Sequence, residues 1–174
     1  MVPIDMSFGF FPMDHPACED ARNYLIGRGI EPHMWDTYGI VYMPSKRRVV
    51  FPVQQDGVVW GYQARTIDKD VQPKILTSKG LKRDRVLMFA DRVHEGGHAI
   101  LCEGPVDAIK FDLVGGAVAT MGKVVTDRQI DVLRDKQVSK VYLALDPDAF
   151  AETNLLIQKL KPCLLYTSPS PRDA

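Results

Sequence analysis

Two short apolar runs, each stopping abruptly in carboxylates, constrain this chain most. The first reads Ala99-Ile-Leu-Cys-Glu103-Gly104-Pro-Val-Asp107, and the second Lys140-Val-Tyr-Leu-Ala-Leu-Asp146-Pro-Asp148-Ala149. Runs this short and this apolar suit strands buried on both faces of a parallel sheet. In open α/β sheets the ligand crevice lies beyond the C-terminal strand ends, where these acids would fall. Gly104-Pro105 ends the first strand, and Pro105 suits the first turn of a helix. Asp107 then falls in that turn, where the helix dipole favours an anion. Asp146 and Asp148 are two apart, so on an extended backbone they point to one side.

Four carboxylates brought to one place raise one another's pKa unless a cation lies among them. An all-oxygen donor set suits Mg²⁺ or Mn²⁺ better than zinc. The chemistry it serves best is phosphoryl transfer, in which the metal bridges substrate phosphates. A plainer reading stays open: Glu103 and Asp107 cap a helix, and Asp146-Pro147-Asp148-Ala149 is a turn.

Glu103-Gly-Pro-Val-Asp107-Ala-Ile followed by Asp146-Pro-Asp148-Ala149 resembles the toprim signature of bacterial DnaG-type primases, phage primase-helicases, topoisomerases and some nucleases. Ala119-Thr-Met-Gly122-Lys123 resembles the strand and glycine turn that toprim domains place between the two motifs. Ala151 stands where the family usually has glycine. Upstream, Tyr24-Leu-Ile-Gly-Arg28-Gly29-Ile30, Arg48-Val-Val-Phe51-Pro52 with Arg65, and Pro73-Lys74-Ile-Leu-Thr-Ser78 resemble primase segments. The resemblance runs roughly from Arg22 to Leu160. It implies Glu103, Asp146 and Asp148 as Mg²⁺ (or Mn²⁺) ligands, Asp107 as a ligand or its neighbour, and Glu103 as general base. It also implies Arg48, Arg65, Lys74, Lys79, Lys82, Arg83 and Lys123 as contacts to nucleotide or template.

The pattern elsewhere agrees with an α/β fold. Ala17, Ala21, Tyr24 and Leu25 recur at helical spacing and stop at Gly27 and Gly29; a second short helix is predicted from Pro32 to Gly39. Val49, Phe51 and Val53 alternate, Asp56-Gly57 is a hairpin turn, and Val58 to Arg65 returns as a strand. Thr126-Asp-Arg-Gln129 is a capping box opening a helix to about Gln137, and Ala149 to Leu160 reads as a closing helix. Strands alternating with helices imply right-handed crossovers and a mostly parallel sheet. His94-Glu-Gly-Gly-His98 fits a zinc-protease pattern, but paired glycines cost about 1 kcal/mol each in a helix, so a turn is predicted. Gly122-Lys123 lacks the other residues of a P-loop.

Lys and Arg total 22, as do Asp and Glu, so contact with nucleic acid must come from uneven distribution of charge. Ten cations lie between Lys46 and Arg85, opposed only by Asp56, Asp68, Asp70 and Asp84. No apolar run reaches membrane-spanning length, and the start lacks the features of a signal peptide, so a cytoplasmic location is expected. Cys18, Cys102 and Cys163 have no pairing or metal-ligand spacing. Cys163-Leu-Leu-Tyr-Thr-Ser-Pro-Ser-Pro-Arg-Asp173 resembles one reading frame of a transposase-type library adaptor, so the native sequence is expected to stop near Pro162.

The expected fold class is α/β, a Rossmann-like toprim sheet preceded by a small α+β subdomain. Expected boundaries are residues 1–16 as an extension, 17–93 as a basic primase subdomain, 94–162 as an incomplete toprim domain, and 163–174 as a non-native tail. The resemblance implies the catalytic core fragment of a replicative primase, a nucleotidyltransferase making RNA primers from ribonucleoside triphosphates on single-stranded DNA. A replicative helicase, separate or fused, would be its partner. Toprim nuclease or topoisomerase chemistry, and a non-catalytic single-strand-binding module, are the alternatives.

Overall fold

The computed structural model describes residues 1–146, 150–160 and 165–167, and it divides after Leu81 into two compact units. In the first, β1 (Phe11–Pro12), β2 (Val41–Met43), β3 (Arg48–Gln55), β4 (Val58–Thr66) and β5 (Ile75–Thr77) form an antiparallel sheet in chain order. Asp56 and Gly57 both have positive φ, 56° and 74°, and Gln55 pairs with Val58 across them. This is the two-residue turn whose twist matches the strands, and only residues tolerant of left-handed backbone fit it. Val49, Phe51 and Val53 are wholly buried. Val50 is equally buried and packs with Met43 and Ala64, so β3 is covered on both faces.

Helices α1 (Glu19–Gly27) and α2 (Pro32–Thr37) fall where the spacing predicts, although Pro16–Cys18 forms a 3₁₀ turn ahead of α1. Gly29, at φ 77°, takes the left-handed backbone that ends α1. Gly61 serves a different need, because a Cβ there would collide with the Ser78 hydroxyl and lie 2.9 Å from Leu81 Cβ. Residues 1–16 are no extension. Ile4 N–H donates to Val59 O at 2.9 Å, β1 pairs with β2, and Met6 and Phe10 pack on the Val50 cluster.

The second unit contains β6 (His98–Cys102), α3 (Pro105–Phe111), β7 (Ala117–Ala119), α4 (Asp127–Asp135), β8 (Lys140–Ala144), α5 (Phe150–Leu160) and β9 (Leu165–Thr167). The strands are all parallel, in the order β7-β6-β8-β9. Leu101, Val118, Ile130, Leu133, Val141, Leu143, Leu156 and Leu160 share one core. The capping box at Thr126 is complete: its hydroxyl accepts from Gln129 N–H, and Gln129 Oε1 accepts from Thr126 N–H. Ala151 lies within α5.

The expected boundary at 93/94 moves to 81/82 because Leu87, Ala90 and Val93 belong to this second core and Met88 bridges to Ala119. Lys82, Arg83 and Arg85 therefore leave the basic subdomain. Gly96 and Gly97 form a turn into β6, with Gly96 at φ 70°, so His94 and His98 share no helix. Leu165–Thr167, inside the stretch read as a non-native tail, pairs with Lys140–Tyr142. An open strand edge accepts extended β-prone sequence whatever its origin. No helix among the described residues is long and apolar enough to cross a membrane.

Candidate active site

β6 and β8 pair from His98↔Lys140 to Cys102↔Ala144, so they end side by side. Glu103 is one residue past its strand and Asp146 two past, and both are half-buried. The Asp146 N–H donates to Glu103 Oε1 at 3.2 Å. The two acidic motifs, 43 residues apart in the chain, thus meet at one rim.

The loop leaving β7 is fastened to the same place. Thr120 N–H donates to Cys102 O and Met121 N–H to Glu103 O, each at 2.9 Å. The Thr120 hydroxyl lies 3.2 Å from Cys102 O and 2.7 Å from Gly122 O. Met121 adopts φ 61° as the loop turns. Gly104 and Pro105 open α3 as predicted, and Asp107, half-buried, stands in its first turn. The Cys102 thiol beneath is fully buried, and desolvation, with the Asp107 and Asp112 charges adding to it, pushes it up to about 12. It is therefore an inert core group, since the thiolate is the reactive form.

Asp148 lies outside the described residues. Among those described, no three His, Cys, Asp or Glu side chains gather as a metal site. What is present fits a hard divalent cation in donor type: two half-buried acidic residues on adjacent strand ends, whose side chains offer oxygen donors.

The expected phosphate-contacting cations divide sharply. Arg48 is only 3% exposed, and its guanidinium donates to Ala64 O, Lys74 O (both 3.1 Å) and Pro73 O (2.8 Å). It ties β3 to the segment entering β5 and is not presented to a ligand. Arg65 donates to the Tyr24 hydroxyl at 2.9 Å, and Lys74 Nζ to Lys69 O, both half-exposed. Lys79 is exposed on the first unit; Lys82, Arg83 and Lys123 are exposed on the second. Arg83 donates to Met121 O at 3.0 Å, which puts it against the loop that binds Glu103. In the first unit Arg47, paired with Asp68 at 3.0 Å and Asp20 at 3.1 Å, holds the Asp68 carboxyl below its usual range. Gln129, which sequence reasoning used only as a cap, proves wholly buried.

A family model described as Toprim domain matches residues 98–165. That stretch of the chain is similar to toprim domains, from β6 to the first residue of β9, and it holds both acidic motifs. The DNA primase of Aquifex aeolicus (strain VF5) is 33% identical over an alignment covering 74% of this chain and 35% of that protein. The chain thus spans about a third of that relative. Among solved structures, the DnaG catalytic core superposes with TM-score 0.73 at 17% identity, covering 91% of this chain and 67% of that one. The zinc-binding and RNA polymerase domains of the Aquifex aeolicus primase give 0.73 at 20%, covering 92% and 51%. The primase fragment of the bacteriophage T7 primase-helicase gives 0.63 at 18%, covering 83% and 63%. The chain thus shares the fold of primase cores, and the protein to which it is similar in sequence is a primase.

Proposed function

We propose that this chain is the catalytic core portion of a DNA primase, joining ribonucleotides on a single-stranded DNA template. The observation that carries this reading is the 3.2 Å contact between Glu103 and the Asp146 amide, which holds the two acidic motifs together. Glu103, Asp146 and Asp148 would hold Mg²⁺ or Mn²⁺, with Asp107 beside them. When bound, the ion supplies charge neutralisation to the reacting phosphates. Glu103 would accept the proton of the attacking hydroxyl at its carboxylate. Arg83 and Lys123 would meet nucleotide phosphates, and Arg65, Lys74 and Lys79 the template backbone, where exposed cations give salt-dependent affinity. Similarity to the DnaG catalytic domain whose structure is bound to single-stranded DNA supports the choice of template.

The test supplies labelled ribonucleotides, a single-stranded template and Mg²⁺. Short RNA products that vanish in Glu103→Gln support the reading. Template cleavage would replace it with nuclease chemistry, and binding with neither product with a passive module. Separately, calorimetry should show Mg²⁺ binding that Asp146→Asn with Asp148→Asn abolishes; unchanged affinity would remove the site.

A further inference from the structure

The capping box explains too little about Gln129. A glutamate at that position would close the box equally well, since only the side-chain oxygen takes part. Yet Gln129 is 1% exposed, and its amide nitrogen lies 2.8 Å from Arg83 O, 3.0 Å from Val86 O and 3.0 Å from Thr120 O. Its two amide hydrogens are shared among three carbonyls from two segments remote in the chain. Only an amide can accept from the helix start and donate to those carbonyls together.

The segments so joined reach the acidic rim. Thr120 and Met121 bind the backbone of Cys102 and Glu103, and Arg83 returns its guanidinium to Met121 O. Gln129 therefore grips the backbone of Arg83 and of the loop to which the Arg83 side chain is tied; that loop also bonds the Glu103 carbonyl, but the Glu103 carboxylate itself is held from the opposite side, by the Asp146 N–H. We infer that Gln129 is a positioning residue: it fixes the Arg83 guanidinium relative to the Glu103 carboxylate, and so governs affinity for the phosphates of an incoming nucleotide and not for the metal. This rests on the primase reading for its ligand, but the geometric claim can be tested without it.

Gln129→Met keeps the volume and removes every polar contact. In the full chain, amide hydrogen exchange at Thr120 and Met121, whose N–H groups bond Cys102 O and Glu103 O, should accelerate at least tenfold while Ala99 to Leu101 in β6 is unchanged. Equal protection in the two proteins would overturn the inference whatever the enzyme does. For function, KM for ribonucleoside triphosphate should rise about tenfold with kcat and Mg²⁺ affinity nearly constant. In an Arg83→Ala background, Gln129→Met should add no further loss, because residues acting through one another are not additive. Additive losses, or an equal fall in Mg²⁺ affinity, would reduce Gln129 to a general structural residue. Gln129→His, which retains a donor, should recover part of the KM. Absence of RNA synthesis in the unsubstituted chain would count against the primase reading, with the exchange result still deciding the role of Gln129.

Discussion

Arg48 in the first unit and Glu103 in the second are both charged residues at the margin of a buried strand, and they are used in opposite ways. The antiparallel sheet covers β3 on both faces and closes over Arg48, so its guanidinium serves three carbonyls of the same unit. The parallel sheet ends β6 and β8 level with one another, so Glu103 and Asp146 stand beyond their ladders on a rim. A charge inside a sheet's span becomes a fastening, and a charge just past a strand's end can be offered to a ligand.

That contrast can be broken most forcefully at Arg48. Arg48→Met should lower stability by about 3 kcal/mol, because the buried Ala64 carbonyl and the part-buried Pro73 and Lys74 carbonyls lose charged donors. Urea unfolding measures the loss, and the protein that remains folded should bind Mg²⁺ as before; full stability would make Arg48 a spare charge. Glu103→Gln should do the reverse, weakening Mg²⁺ binding about 100-fold, roughly 2.7 kcal/mol, with the urea midpoint nearly unmoved. A large loss of stability there would turn the rim into a fastening as well.

Gly116→Ala sharpens the comparison within the second unit. Gly116 has φ 85°, and a Cβ would lie 2.5 Å from His98 O, so a cost of about 2 kcal/mol in thermal unfolding is expected. The smallest effect is alkaline. Burial pushes the folded Cys102 thiol up to about 12, against about 8.5 for a free thiol in the unfolded chain, so the unfolded state ionises first. Stability should be intact below the lower value and decline as pH rises toward the upper, by about 1 kcal/mol near pH 9.5. Cys102→Ala should reduce that decline, leaving the part owed to the buried Cys18 thiol and Tyr42 hydroxyl, which burial also pushes up; a pH profile unchanged by the substitution would show the Cys102 thiol to be solvated.

Much of this was legible because it is local. Asp56-Gly57, Pro105 at a helix start and Thr126 with Gln129 each fix a turn or a cap within four residues, and the structure has each. The strand-end acids were legible too, since apolar runs that stop in carboxylates declare where a sheet ends. Arg48 was misread because a sequence displays its charge but not the carbonyls of Ala64, Pro73 and Lys74 that surround it. Lys82 to Val93 went to the wrong unit for the same reason: Leu87, Ala90 and Val93 find their partners on α4 and on β6 to β8, far along the chain. The amide of Gln129 was hidden behind a local motif that already accounted for its oxygen.

β6 is bonded on both sides up to Cys102, by β7 on one edge and β8 on the other. Glu103 follows directly on a strand with no open edge, so a substitution that loosened either neighbour of β6 would reach the acidic rim through its backbone before it touched a carboxylate.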